Sequence, residues 1–184
     1  MRHESNLLNS SLYLNKISLS KEIPKGNYLR DLPVITNLRE MGELQLRKPV
    51  TFIVGENGVG KSTLIEGIAV AMGFNPEGGT VNFNFATEES HSDLHEYLTV
   101  SRGYKRHRDG FFLRAESFYN VATNIDEMDR EPGFGPPIIS SYGGVSLHKQ
   151  SHGESFMALV ENRFYGNGLY ILDEPEAALS PMRL

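Results

Sequence analysis

Residues 55–63 place glycines, a lysine and two hydroxyl side chains at a spacing that suits phosphate binding. The segment reads GENGVGKST and fits G-x-x-x-x-G-K-[ST] at every fixed position. Glycines let successive N–H groups turn toward an anion, and the helix that follows presents the positive end of its dipole. Lys61 can reach terminal phosphates, and the Ser62 hydroxyl can bind Mg²⁺. We expect nine residues to contact nucleotide: Gly55, Glu56, Asn57, Gly58, Val59, Gly60, Lys61, Ser62 and Thr63.

A pair of carboxylates follows the apolar run at residues 169–172. The run predicts a buried strand, and ligands collect at the carboxyl ends of strands in open α/β sheets. Asp173 can hold the Mg²⁺ ion, and Glu174 can orient or deprotonate an attacking water. An acidic strand end that faces solvent is the alternative interpretation of the same residues.

A short polar turn, Ser151-His152-Gly153-Glu154, precedes the helical pattern at 155–164. A serine or glycine at the start of a helix is again suited to an anion. The motif is weak alone, and its order gives it weight: phosphate loop, intervening segment, S-x-G-E turn, one helix, then the acidic strand end.

The elements that must position these residues can be read from the hydrophobic pattern. The β-branched run at 50–54 predicts a strand buried on both faces, and apolar residues at helical spacing predict a helix over 62–72 that stops at Gly73. Strands are predicted at 12–19, 28–32, 43–46, 81–85 and 111–113, helices at 92–100 and 115–125, and a loop at 131–137.

Composition sets the class of protein. The chain has 184 residues and a net charge of -5, which suits a single soluble domain and argues against coating nucleic acid through bulk charge. It contains no cysteine, which excludes disulfides, thiolate catalysis and Cys-ligated metals. No apolar stretch is long enough for a membrane span or a secretory signal, so we expect a cytoplasmic protein.

The order of these motifs resembles the ABC-type ATPases, in particular the stand-alone cytosolic branch near the SMC and RecF group, with its small bacterial AAA-family ATPases. GENGVGKST resembles their Walker A motif, SHGES their signature, and LYILDEPEAALSP their Walker B motif and D-loop. The resemblance implies an α/β P-loop NTPase head over 1–184, with a mostly parallel core sheet, an antiparallel β layer and a helical arm at about 88–150.

The resemblance also implies how such a head works. It would bind and hydrolyse Mg-ATP, close a homodimer around ATP and drive a conformational switch. Catalysis would need Lys61 and Glu174, with Ser62 and Asp173 as metal ligands, and Ser151, His152, Gly153 and Glu154 would act in trans as the signature.

Two departures from the family pattern leave an alternative open. His152 replaces a glycine of the usual signature, and the sequence stops after the D-loop position, before the switch histidine that such ATPases carry. The alternative is therefore a nucleotide-binding regulatory subunit, in DNA repair or phage defence, with little or no turnover.

Several further residues are candidates with ordinary alternatives. Glu116 could occupy a Q-loop position or be a surface carboxylate, and Tyr28 could stack on adenine or lie in the core. His91 and His95 could share a metal or simply be solvated. The basic stretch 102–108 could contact nucleic acid or form a solvated loop.

Overall fold

A computed structural model of the chain describes residues 12–81, 91–116, 118–131 and 135–178. The chain divides into two compact units. The first unit comprises Met1–Gly73 and Ser90–His107, and the second comprises Phe74–Glu89 and Arg108–Leu184. In the part of the chain that the structure describes, no helix is long and apolar enough to cross a membrane.

The first unit is built on an antiparallel sheet of three strands, β1 (Leu14–Leu19), β2 (Glu43–Gln45) and β3 (Leu98–Arg102), in the order β2-β1-β3. Ile17 on the central strand pairs with Leu44 on one side and with the β3 strand on the other, and it is fully buried. The antiparallel layer predicted from residues 12–19 and 43–46 is therefore confirmed, and β3 extends it.

Two α-helices complete the first unit. Helix α1 (Pro33–Met41) follows a 3-10 helix at Tyr28–Asp31, and helix α2 (Lys61–Met72) follows the phosphate loop. Gly73 ends α2 in the left-handed conformation, with φ of 100°, as the sequence predicts for the helix at 62–72. The core of this unit contains apolar side chains from all of these elements: Ile17, Leu29, Ile35, Leu38, Leu64, Ile68, Ala69, Met72, Leu94 and Leu98.

The prediction of a strand at 50–54 is wrong. The described backbone pairs residues 51–54 with no other strand, and Phe52 and Val54 are 84% and 85% exposed. β-Branched residues favour extended backbone, but a strand also needs a partner for its hydrogen bonds. As a result, the mostly parallel sheet is not what the described residues form, because β4 and β5 of the second unit are their only parallel pair.

Two other predicted elements of the first unit differ. The strand predicted at 28–32 is a 3-10 helix, because the Asn27 side chain accepts a hydrogen bond from the Leu29 N–H and Pro33 opens α1 directly afterwards. The helix predicted at 92–100 is only a 3-10 helix at Asp93–Tyr97, capped by Ser92 as expected, because the chain continues into β3. Most of the strand predicted at 81–85 lies outside the described residues.

The second unit contains two parallel strands, β4 (Asp109–Arg114) and β5 (Gly168–Asp173), which pair along their whole length. Between them the chain forms helices α3 (Phe118–Met128) and α4 (His152–Arg163), and short 3-10 helices lie at Ile138–Tyr142, Leu147–Lys149 and Pro175–Ala178. The strands predicted at 111–113 and 169–172 and the helix predicted at 155–164 are confirmed. The helix predicted at 115–125 begins later, at Phe118.

One hydrophobic cluster holds the second unit together, with residues from β4, α3, α4 and the two 3-10 helices that precede α4. Its buried members are Phe111, Leu113, Phe118, Val121, Ala122, Ile125, Tyr142, Leu147, Phe156 and Leu159. The segment 88–150 is predicted to be a helical arm. Its described residues instead include strands β3 and β4 as well as helix α3. The loop predicted at 131–137 lies partly outside the described residues.

Candidate functional site

The phosphate loop, residues 55–63, folds around its own lysine. The Lys61 ammonium group donates hydrogen bonds to the main-chain carbonyl oxygens of Gly55 at 2.9 Å and Glu56 at 2.8 Å. Gly58 and Gly60 both have positive φ, 82° and 94°, a conformation that side chains disfavour. The two glycines therefore meet a backbone requirement, and the lysine holds the start of the loop close to its end.

Helix α2 begins at the last part of this loop and presents an end suited to an anion. Its N-cap is Gly60, so no side chain caps the first turn, and no acidic residue occupies that turn. Ser62 and Thr63 follow Lys61 within it. The positive end of the helix dipole is therefore not neutralised by a neighbouring carboxylate of the first turn.

The acidic pair lies at the carboxyl end of strand β5. Asp173 is the last residue of the strand, is only 6% exposed, and stands beside Arg114 in the β4–β5 register. Glu174 follows it in an exposed position with φ of 51°. A non-glycine residue in this left-handed conformation stores about 1–2 kcal/mol of backbone strain.

The S-x-G-E turn forms the N-terminus of helix α4. Ser151 is the N-cap, and its hydroxyl accepts from the Glu154 N–H while the Glu154 carboxylate accepts from the Ser151 N–H at 2.9 Å. The hydroxyl also donates to that carboxylate at 2.6 Å. This capping box gives Ser151 and Glu154 a structural role in starting the helix.

His152, which replaces the usual glycine, directs its ring toward helix α3. The ring contacts Phe118 edge-on, with 6.3 Å between ring centroids. Gly153 follows in the first turn of α4. The described contacts of His152 thus include an aromatic one within the second unit.

The sequence-predicted site residues fall in both units. Residues 55–63 belong to the first unit, whereas residues 151–154 and 173–174 belong to the second. Within the second unit, helix α4 contacts the 3-10 helix Pro175–Ala178 that follows Glu174. The structure therefore brings the S-x-G-E helix and the turn after the acidic pair together.

The remaining candidates have ordinary surroundings. Glu116 forms an ion pair with Arg114, and Tyr28 is 61% exposed rather than part of the core. The ring centroids of His91 and His95 lie 6.2 Å apart. Within the described residues, no group of three or more His, Cys, Asp or Glu side chains could hold a metal.

The basic stretch 102–108 is mostly a connection between β3 and β4. Arg102 donates to the Ala71 carbonyl at the C-terminal end of α2, and the His107 ring packs edge-on against Tyr13. Tyr104 is 75% exposed, and Lys105 and Arg106 next to it are also exposed.

An ion-pair network that the sequence does not signal fastens the end of helix α4. Arg163 contacts both carboxylate oxygens of Asp109, at 2.8 and 2.7 Å, and Tyr170 donates to the same carboxylate at 3.2 Å. Burial raises the pKa of the Tyr142 phenol. Burial and the negative charge of Asp109 raise the pKa of Tyr170. No local pattern indicates these pairings, because the partners lie far apart in sequence.

A second unpredicted feature lies beside the phosphate loop. The Val34 N–H in the first turn of α1 donates to the Val59 carbonyl oxygen at 3.0 Å. A Cβ atom placed on Gly60 would lie 2.8 Å from a methyl carbon of Val34. Pro33, a favoured residue at the first position of a helix, is the sequence signal for this element.

Comparison with known protein families finds a match to part of the chain. Residues 35–126 match the sequence model of a family described as AAA domain, a segment that contains the whole phosphate loop and excludes residues 151–154 and 173–174. No curated protein and no solved structure matches the chain. AAA domains have the α/β fold of P-loop NTPases, bind ATP and are usually ATPases. Because the match spans half of the chain, this protein belongs to the AAA domain family.

Proposed function

We propose that this protein binds Mg-ATP through the phosphate loop and hydrolyses it. The observation that supports the proposal is the conformation of the loop. The Lys61 ammonium group donates to the carbonyl oxygens of Gly55 and Glu56, and it lies at the start of helix α2, where no side chain caps the helix. When a nucleoside triphosphate binds, Lys61 would exchange these carbonyl contacts for stronger contacts with phosphate oxygens. The backbone amides that follow would bind the same anion.

The residues proposed for metal binding suit Mg²⁺ in their chemistry. Asp173 offers a carboxylate at the end of a strand, and Ser62 offers a hydroxyl in the first turn of α2. Mg²⁺ prefers such oxygen ligands and keeps most of its remaining positions for water and phosphate. A bound Mg²⁺ would neutralise charge on the phosphates. The Ser62 hydroxyl is the proposed ligand next to the phosphate loop, and Asp173 keeps the metal-binding role that the motif resemblance implies.

Glu174 is the proposed general base. Its carboxylate is exposed, and its backbone is held in a strained conformation directly after Asp173. Strained backbone of this kind is frequent where a side chain must point in a functional direction. Glu174 would orient the attacking water and take its proton.

A phosphate-release assay tests hydrolysis. Glu174→Gln should abolish turnover while leaving ATP binding intact, because the amide cannot accept the proton. Glu161→Gln on the exposed side of α4 is the matched control and should turn over ATP like the wild-type protein. Tight binding without turnover in the wild-type protein would instead favour the alternative function, a nucleotide-binding regulatory subunit.

We further propose that ATP closes a homodimer, in which the turn at 151–154 of each copy faces the phosphates of the other. The proposal rests on the motif order that resembles ABC-type ATPases. Light scattering on the Glu174→Gln variant should then give a doubled mass with Mg-ATP, and the doubling should disappear when Lys61 is also replaced. A monomer that still binds ATP would contradict the dimer and leave the binding proposal standing.

The exposed segment Tyr104-Lys105-Arg106 supports a nucleic-acid partner as a separate proposal. An aromatic ring next to two cations can stack on a base and contact phosphates. Replacing Lys105, Arg106 and Arg108 by alanine should weaken binding to single-stranded DNA and reduce its salt dependence. Unchanged anisotropy of a labelled oligonucleotide would contradict this proposal.

A further inference from the structure

We propose that the first turn of helix α1 is a brace that sets the direction of a phosphate-binding amide, with Val34 as its positioning residue. This inference rests on the proposed ATP binding at residues 55–63. The contact that carries it is the 3.0 Å hydrogen bond from the Val34 N–H to the Val59 carbonyl oxygen. Val34 touches no part of the nucleotide in this proposal and acts through the loop.

The hydrogen bond satisfies a donor that the helix cannot use itself. The first N–H groups of an α-helix have no partner within the helix, and Pro33 at the first position has no N–H at all. The N-cap residue, Leu32, makes no side-chain cap. The Val34 N–H therefore has no acceptor within α1, and it donates instead to the Val59 carbonyl oxygen of the phosphate loop.

Because the peptide bond is planar, the contact at the Val59 carbonyl also fixes the direction of the Gly60 N–H. The bond between Val59 and Gly60 is trans, as are all others described. In a trans peptide the carbonyl oxygen and the following N–H point in opposite directions. Holding the Val59 carbonyl against α1 therefore directs the Gly60 N–H away from α1.

Gly60 itself is held by packing on one side and by a hydrogen bond on the other. Gly60 lies so close to α1 that a Cβ atom there would come within 2.8 Å of Val34 and 3.2 Å of Leu32. The Gly60 carbonyl accepts the Leu64 N–H at 3.0 Å, which fixes it to helix α2. The Val59 carbonyl is thus held by α1 and the Gly60 carbonyl by α2.

Helix α1 is itself held firmly, so it can act as a brace. Ile35 is fully buried and Leu38 is 2% exposed, and α1 contacts helix α2. Val34 is only partly buried, so replacing it disturbs the core less than replacing its neighbours. This difference allows the brace to be separated from the general stability of α1.

The main variant is Val34→Pro, which removes the N–H. Proline is tolerated in the first turn of a helix, but it disfavours helical backbone at the preceding Pro33, so the folding of this variant is measured beside its binding. It should raise the dissociation constant for a fluorescent Mg-ATP analogue by about tenfold, since one amide loses its fixed direction. Val34→Ala keeps the N–H but removes methyl contact with Gly60, and should raise the constant by about threefold. Urea unfolding of each variant shows whether it is folded.

Leu38→Ala is the matched control on the same helix. It creates a cavity and should lower stability by more than either Val34 variant, yet bind the analogue within about twofold of wild type. A Val34→Pro protein that binds like wild type would overturn the brace, as would a Leu38→Ala protein that binds as weakly as Val34→Pro. If Val34→Pro does not fold, the Val34→Ala and Leu38→Ala pair tests the packing of Val34 on Gly60, and a Val34→Ala protein that binds like wild type would overturn the brace.

A second readout needs no nucleotide. In protein labelled with ¹⁵N-glycine, the Gly60 amide signal should move in Val34→Pro and Val34→Ala and stay in place in Leu38→Ala. If the wild-type protein fails to bind Mg-ATP, the proposed function fails, while this signal still reports on the brace. An unmoved Gly60 signal in folded Val34→Pro and Val34→Ala proteins would overturn the brace and leave ATP binding standing.

Discussion

The ammonium group of Lys61 donates a hydrogen bond to the Gly55 carbonyl oxygen at 2.9 Å, so the side chain spans the loop that it is expected to serve. A second bond, to the Glu56 carbonyl at 2.8 Å, strengthens this closure. Both bonds are exposed to solvent and contribute modestly to stability. Lys61 is therefore available to phosphate at little cost to the fold.

Replacing Lys61 by methionine should lower the free energy of unfolding by no more than about 1–2 kcal/mol, because two exposed hydrogen bonds are lost and no cavity forms. Urea unfolding followed by circular dichroism measures the change. A loss well above this range would show that Lys61 supports the fold itself, which the exposed contacts do not explain.

The strain at Glu174 predicts an unusual gain in stability. Glu174→Gly should raise the free energy of unfolding by up to about 1 kcal/mol, because glycine adopts φ of 51° without steric cost. The same variant should lose ATP turnover. Asn167→Gly is the control: Asn167 has φ of 55°, but asparagine tolerates this region better, so the gain should be smaller. Equal gains at both positions would contradict special strain at Glu174.

The capping box of helix α4 predicts that replacing Ser151 lowers the stability of the folded chain. Ser151→Ala should lower the free energy of unfolding by about 1 kcal/mol, because the Glu154 N–H loses its side-chain acceptor. Ser151→Asn should restore most of the stability, since asparagine is an equally good N-cap. If Ser151→Ala unfolds at the wild-type urea concentration, the capping box contributes nothing measurable.

The buried phenol of Tyr142 predicts a loss of stability in alkali. Its pKa is raised in the folded chain by burial, so its contribution to stability is complete below the ordinary tyrosine value of about 10 and is lost as pH rises through the folded value. Urea unfolding at pH 8 and pH 11 should show a smaller decline for Tyr142→Phe than for wild type. Parallel declines would assign the effect to other groups.

Helix α2 and strand β5 can be predicted because their signals are local. Leu64, Ile68 and Met72 recur at helical spacing before Gly73, and the apolar run at 169–172 suits a buried strand whatever its partner. The phosphate loop can be recognised for the same reason, since its fixed positions lie within nine residues.

The features that the sequence does not predict depend on partners far along the chain. Residues 50–54 favour extended backbone, but the pattern cannot tell which strand would accept their hydrogen bonds. Helix α1 escapes prediction because Pro33 suits a break between strands as well as the first position of a helix. The pairing of Asp109 with Arg163 carries no local signal at all.

Titration of Mg-ATP into the purified protein tests the central claim, that residues 55–63 bind nucleotide through Lys61. Isothermal titration should be run on wild type, Lys61→Met and Lys25→Ala, the last an exposed lysine of the same unit. The account predicts that Lys25→Ala binds like wild type and that Lys61→Met binds at least about a hundredfold more weakly, because charged contacts to phosphate are lost. Equal binding by Lys61→Met, or no binding by the wild-type protein, would contradict it.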